Sequence, residues 1–334
     1  MRFLKKHFSA VLCLFSLITF FIIKNVMTKK VVLGEPFSYK EVAQISDIQL
    51  QDPLFLEASD GVSLAYYPFL PKGPSALVIL YHGGGVYSNA YYQHIGTTLK
   101  NEYKIGCYCV DIRGHGNSGG PRGDAPSINQ VLEDISTVLA LVKKDFPDTA
   151  VYLVGHSSGA GLLLNYSGYQ DKKSDLYDGY VFLAPYFGPR VGVERPGAPV
   201  FVKEVKLWIF LVNQLLRLPI YQHVPAVFFN YPPAVFEKDP RIVTTYSYLM
   251  SCATTPNNPA ILFEQLDKPC TLFIGSDDEQ FDPEKIVAFA DYNKNDRVST
   301  VILPGLKHLS ILLDAPTLIA DSIVKKVLNR SDAI

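Results

Sequence analysis

Short apolar runs of strand length alternate along this chain with longer stretches whose apolar positions recur every three or four residues. Ala76–Tyr81 (ALVILY), Ile105–Asp111, Ala150–Val154, Gly179–Ala184, Pro269–Ile274 and Val298–Leu303 are of the first kind. Near-continuous apolar runs are the pattern of strands buried on both faces. Residues at about 90–101, Ser127–Phe146, Ser158–Tyr169, Pro283–Tyr292 and Pro316–Asn329 read as helices. In Ser127–Phe146, the residues Ile128, Val131, Leu132, Ile135, Val138, Leu139 and Val142 line one face, and Pro147 stops the helix. Leu54–Ala58 and Val62–Tyr67 flank Ser59-Asp60-Gly61, which predicts a hairpin. The alternation predicts an α/β fold: a mostly parallel sheet with helices on both faces and antiparallel pairing at the hairpin edge.

One interval breaks the rhythm. Between Ala184 and Pro269 lie 84 residues without a clear sheet strand, more than a crossover helix requires. The excess predicts an inserted helical cap at about 186–255. Its middle, Phe201–Leu218 (FVKEVKLWIFLVNQLLRL), is helical in pattern and unusually apolar.

A different pattern holds at the N-terminus. Phe8–Ile23 (FSAVLCLFSLITFFII) is a run of sixteen uncharged residues between two basic clusters. As a helix it extends about 24 Å, slightly short of a ~30 Å hydrocarbon core, a gap that snorkelling lysines and bilayer thinning can close. Residues 1–30 carry six basic residues and no acid. No pair of small residues follows Ile23 to mark a cleavage site. The favoured expectation is an uncleaved single-pass signal-anchor in residues 1–30, with the bilayer as partner of residues 8–23; secretion after cleavage is the alternative. A connector at 31–52 then leads to a single α/β domain over 53–330, which carries the insert.

Composition narrows the rest. The 334 residues are 48% apolar and 19% charged, which excludes global disorder and allows a sizeable core. Net charge is −1, so nothing points to nucleic acid. Five cysteines (Cys13, Cys107, Cys109, Cys252, Cys270) form no CxxC and read as small core residues rather than metal ligands or a disulfide framework.

The candidate chemistry centres on Gly155-His156-Ser157-Ser158-Gly159. In G-x-S-x-G a sharp strand-to-helix turn projects the Ser Oγ above the sheet, and crowding demands glycine two before and two after. Here VYLV precedes and SGAGLLLNY follows, as that geometry requires. A second match, Gly116-Asn117-Ser118-Gly119-Gly120, has neither a strand leading into it nor a helix after it. Ser157 is therefore the expected nucleophile and Ser118 a decoy.

A serine hydroxyl needs a base. Of seven histidines, His308 lies just after the last predicted strand, on the same carboxyl edge of a parallel sheet as Ser157. His156 should point away from Ser157, and His82 and His115 read as loop stabilisers. The base needs an acid. Asp277, Asp278, Glu279 and Asp282 follow strand TLFI; Asp278 is preferred over Asp277, which gives the chain order Ser157, Asp278, His308. Two amides should form an oxyanion hole: Ser158 N–H at the helix start, and Gly84, or second Gly85, in His82-Gly83-Gly84-Gly85.

These residues carry a resemblance. YHGGG, DIRGHGNSGGPRGD (Asp111–Asp124), VGHSSGAG, IGSDDEQFDP and LPGLKH together resemble α/β-hydrolases of the monoacylglycerol lipase and lysophospholipase group, which shares its sequence profile with serine aminopeptidases. The resemblance runs from about Leu54 to Leu328 and is weakest across the cap. It implies an eight-stranded sheet, a triad at Ser157, Asp278 and His308, no cofactor, and a cap over an acyl-binding pocket. Three features depart from the group: three glycines after His82, Ser158 where Met is common, and an unusually acidic loop after TLFI.

The leading expectation is a membrane-associated serine esterase acting on lipid carboxylic esters. A peptidase or small-ester hydrolase with the same triad is the alternative, and a non-catalytic membrane-anchored binding protein a third reading.

Overall fold

The computed structural model describes residues 24–30, 38–42, 45, 49–215 and 219–331. The expected anchor at 8–23 lies outside them. Among the described residues no helix is long and apolar enough to cross a membrane.

The main sheet has eight strands. In chain order they are β2 (Leu54–Glu57), β3 (Ser63–Phe69), β4 (Ala76–Tyr81), β5 (Ile105–Val110), β6 (Val151–His156), β7 (Gly179–Leu183), β11 (Cys270–Gly275) and β12 (Val298–Leu303). Their spatial order is β12-β11-β7-β6-β4-β5-β3-β2. The six strands from β12 to β5 are parallel. The β2–β3 hairpin adds the expected antiparallel edge, with Leu54 opposite Tyr66 and Glu57 opposite Ser63. Every residue of β4, β5, β6, β7 and β11 is buried, which is why these segments read as unbroken apolar runs.

Helices cover both faces. They are α1 (Gln93–Tyr103), α2 (Ile128–Asp145), α3 (Ser158–Ser167), α8 (Pro283–Tyr292) and α9 (Ile311–Ser331), with α4 to α7 in the insert that follows β7. The predicted stripe of α2 is buried at Val131, Leu132, Ile135, Val138, Leu139 and Val142, and Ser127 caps its N-terminus by accepting from Gln130 N–H.

The C-terminal helix starts five residues before the sequence reading, so Pro316 lies inside it. Proline has no N–H to offer the carbonyl four residues earlier, which is that of Leu312. His94 supplies the missing donor: its Nε2 bonds Leu312 O at 2.8 Å. A partner on another helix thus removes the cost that made Pro316 look like a helix start.

The insert is the larger departure. Phe201–Leu218 is not one helix. It is a strand, β8 (Val202–Lys206), followed by α4 (Leu207–Leu215). β8 pairs antiparallel with β9 (Pro225–Phe229), which pairs with β10 (Thr245–Ser247). The interval that appeared strandless thus carries a small second sheet. Val202 and Val205 are β-branched and favour a strand whereas Lys203 and Glu204 are good helix formers, so local preference is divided and pairing on two edges decided the outcome. The fourth member is β1 (Thr28–Lys30), the last residues of the segment 1–30 assigned to the expected anchor, which pairs with β8 in the register Thr28 to Lys206.

Candidate active site

The site grows from the β6–α3 turn. Ser157 has φ 52° and ψ −119°, a conformation that side chains rarely adopt. Glycines make it possible. A Cβ on Gly155 would stand 2.5 Å from Ala160 N, and one on Gly159 would stand 2.5 Å from Tyr81 O. Strand, turn and helix are thereby pressed together, and the Ser157 hydroxyl stands at the carboxyl edge of the sheet.

The loops after β11 and β12 end at the same edge. His308 Nε2 is 3.1 Å from Ser157 Oγ, and His308 Nδ1 is 2.8 Å from Asp278 Oδ2. A carboxylate only accepts, so Nδ1 carries the proton and Nε2 is left bare toward the serine. Asp278 is fully buried, and its other oxygen accepts from Gln280 N–H at 2.8 Å and Phe281 N–H at 2.9 Å.

The four clustered acids have separate tasks. Asp277 is exposed and accepts from Ser276 Oγ. Asp282 caps α8. Glu279 accepts from the backbone N–H of His308 at 3.0 Å, a contact that sequence reading did not anticipate.

The glycine loop after β4 is pinned at nearly every polar group. Gly83 N–H donates to Tyr92 Oη, and Gly85 N–H to Tyr246 Oη, each at 2.8 Å. The carbonyls of Gly83, Gly84 and Gly85 accept from His82 Nδ1, Tyr231 Oη and Val243 N–H. Among the described residues, only the Gly84 N–H of this tripeptide has no acceptor. A Cβ on Gly84 would lie 3.3 Å from Ser158 Oγ, so the two residues expected to form an oxyanion hole face each other. Gly85 is excluded as a donor because Tyr246 occupies its amide. The Ser158 hydroxyl is buried here without a hydrogen-bond partner.

Three further histidines, His82, His115 and His156, are structural fasteners. His156 turns away from Ser157: Nε2 donates to the carbonyl of His308 at 3.1 Å, so Nδ1 accepts from Tyr92 Oη at 2.9 Å. His82 Nε2 accepts from Ile112 N–H, and His115 bridges Arg113 O and Tyr246 Oη. Among the described residues no histidine nitrogen bonds the Ser118 hydroxyl. Its hydroxyl donates to Asp111 O and accepts from Ala65 N–H, tying its loop to β3.

Aromatic side chains close over the site. Phe201 and Phe229 of the insert approach the Gly84 Cβ position at 3.6 and 3.7 Å. Phe281 meets the His308 ring edge-on at 5.0 Å and stacks on Tyr186. Tyr92, Tyr231 and Tyr246 left no mark in the sequence, since nothing local separates a bracing tyrosine from a core one.

Burial and charge set the protonation states. Burial pushes His308 down, but the Asp278 carboxylate, by charge and hydrogen bond, outweighs it with help from Glu279, and the net shift is upward from 6.5. Burial pushes Asp278 up, but His308 and the two amides outweigh it and hold the carboxyl below 3.8. Burial drives His82 down to about 4 and His115 and His156 down to about 3.

These signs predict how stability depends on pH. The raised His308 adds stability that is complete below 6.5 and lost as pH rises through its folded value. The depressed histidines act in the opposite window. Below 6.5 the unfolded chain binds protons that folded His82, His115 and His156 refuse, each costing up to about 1.4 kcal/mol per pH unit. The melting temperature is expected to hold or rise slightly from about pH 8 to 6.5, then fall toward about pH 5. Calorimetry showing a continued rise below pH 6.5 would contradict the neutral buried histidines.

Comparison with known proteins adds three findings. The profile of the family described as serine aminopeptidase, S33, matches residues 72–314. A monoacylglycerol lipase of Mycolicibacterium smegmatis is 28% identical over 153 residues, covering 44% of this chain and 50% of that protein. A monoglyceride lipase of Mus musculus is 26% identical over 140 residues, covering 42% of this chain and 45% of that protein. The chain thus spans half or less of the length of the curated relatives it matches. A soluble variant of monoglyceride lipase from Saccharomyces cerevisiae, solved with a substrate analog, superposes with a TM-score of 0.61 at 16% identity. That superposition covers 87% of this chain and 98% of the other, and it is a likeness of fold.

Proposed function

Because the chain belongs to the serine aminopeptidase (S33) family of α/β-hydrolases, we propose that it is a membrane-associated serine esterase cleaving lipid carboxylic esters of the monoacylglycerol or lysophospholipid type. The observation that carries this reading is the hydrogen-bonded line from Ser157 Oγ through His308 to Asp278, with the glycine loop packed beside it, where a Cβ on Gly83 would lie 3.4 Å from Ser157 Cβ.

In the proposed reaction, Ser157 Oγ attacks the ester carbonyl carbon while His308 Nε2 takes its proton. The carbonyl oxygen becomes an oxyanion, held by Gly84 N–H and Ser158 N–H; such donors are worth about 3–4 kcal/mol each. His308 then protonates the departing alcohol, and the acyl group stays on Ser157. Water, deprotonated by His308, attacks the acyl carbon; the intermediate collapses to release the carboxylic acid, and the His308 imidazolium returns the proton to Ser157 Oγ. Asp278 holds the imidazole in the required tautomer throughout.

Two features support a lipid substrate at a bilayer. Phe201, Phe229 and Phe281 crowd the reacting end of the site with apolar surface. The apolar run 8–23 ends just before Lys24, whose segment packs on the insert: Met27 packs with Trp208, and β1 joins β8. An anchor there puts exposed Val26, Leu207, Leu211 and Ile220 next to the membrane surface.

A chain-length series tests the substrate class. With p-nitrophenyl esters, kcat/KM is expected to rise up to about fourfold per methylene while the acyl chain still gains burial. Preference for amino-acid anilides over every ester would replace the lipase reading with the peptidase one.

A further inference from the structure

Two peptide planes beside that of the Gly84 N–H are held by tyrosine hydroxyls. Tyr246 and Tyr231 hold the N–H and C=O of the Gly84–Gly85 peptide, and Tyr92 holds the N–H of the peptide before Gly83. The Gly84 N–H lies between them, in the plane whose carbonyl accepts from His82 Nδ1; glycine imposes few limits of its own, so its direction depends on the flanking planes as well as on His82. Tyr231 in turn has a partner that belongs to neither the α/β domain nor the insert.

That partner is Tyr39, on the N-terminal connector. Its ring lies between Tyr231, with centroids 5.8 Å apart and planes at 29°, and Tyr91, at 6.1 Å and 26°. Tyr39 is 9% exposed, and Val42 after it is fully buried, so this stretch is packed rather than draped. Tyr231 donates to the Gly84 carbonyl, because a carbonyl only accepts, and the stacked Tyr39 ring covers its face. The connector touches the other side of the site as well, where Glu41 pairs with Lys307 beside His308. Both of those side chains are well exposed, and that pair adds little.

We propose that Tyr39 is a positioning residue for the oxyanion amide: it locks Tyr231 against the Gly84 carbonyl, so the connector leading from the expected anchor completes the reaction site. This rests on the serine-esterase reading. An oxyanion donor works only if it is held about 2.7–3.1 Å from where the charge develops. A slack Gly84 peptide therefore loses transition-state binding while leaving the ester's ground-state contacts unchanged. Protein shortened to begin near residue 50 would keep Ser157, Asp278 and His308 and still turn over poorly.

The test uses the full-length chain with a short, soluble ester. Tyr39→Leu is expected to lower kcat about tenfold, and Tyr39→Phe, which keeps the stacked ring, by less. KM should stay within about twofold. Affinity for a trifluoromethyl ketone, which forms an oxyanion on the serine, should fall by the same factor as kcat. In a Tyr231→Phe background, Tyr39→Leu should cause little further loss, because the route through Tyr231 is already cut. Unchanged kcat in both Tyr39 variants would overturn the proposal. So would full multiplication of the two losses, or a kcat loss without any change in ketone affinity. Tyr39→Phe keeps the test decisive should the leucine variant fold poorly. Ser157→Ala serves as the baseline: turnover by that variant would sink the esterase reading itself, whereas an inactive Ser157→Ala with a fully active Tyr39→Leu would sink only the role of Tyr39.

Discussion

Ser157→Ala protein is expected to hydrolyse esters about 10⁶-fold more slowly than the native chain, the loss typical of removing the nucleophile from a serine triad. Fluorophosphonate labelling should vanish with it. Folding should survive. The strained φ of 52° at this position is tolerated no worse by alanine than by serine, and the only side-chain bond lost is the one to His308 Nε2. His308→Ala should cost about as much as Ser157→Ala, and the double variant little more, because the two act as one unit. Parallel turnover and thermal-melt measurements decide the matter. A residual rate within a hundredfold of native would mean that the oxygen attacking the ester is not Ser157 Oγ.

Asp278→Asn carries the second large effect, about 10⁴-fold in kcat. The surroundings of Asp278 dictate how the amide must sit. One carboxylate oxygen accepts from Gln280 N–H and Phe281 N–H, so the asparagine oxygen stays there and its NH₂ turns toward His308. Facing a donor, Nδ1 must become the acceptor, and the ring proton moves to Nε2. That nitrogen can no longer take the proton of Ser157. The pH profile supplies an independent check. The Asp278 charge is the main influence raising His308 against its burial. In native protein kcat/KM should fall as pH drops through a value above 6.5. In the Asp278→Asn variant the residual activity should lose its acid limb at lower pH. An unshifted limb would show that another acid, Glu279 being nearest, sets the state of the base.

Much of this was legible before any coordinates. The β6–α3 turn is encoded within a few residues: an apolar strand, two glycines spaced around a serine, and a helix start. Steric exclusion at Gly155 and Gly159 acts over neighbours in sequence or on the adjacent strand, so the pattern carries its own explanation. Asp278 and His308 were legible by a longer argument. Parallel strands bring their carboxyl ends to one edge, so residues just past β11 and β12 had to gather near Ser157. Phe201–Leu218 was misread because β8 owes its form to strands on either side of it, and Pro316 was misread because the donor that relieves it comes from His94. In both places a distant partner overrode local preference.

Taken by itself, the amino-acid sequence determined the α/β architecture, the position of the insert, the elbow serine and the acid–base pair most able to serve it, because periodicity, turn sterics and strand polarity all act at short range. The tertiary structure alone decided which amide of the glycine loop is left to receive charge. That choice was made by the hydroxyls of Tyr92 and Tyr246, which occupy the amides of Gly83 and Gly85 on either side of Gly84. A neutral hydroxyl reaching a backbone group from up to 161 residues away has no period, charge or spacing to announce it; only the folded chain brings the two within bonding distance.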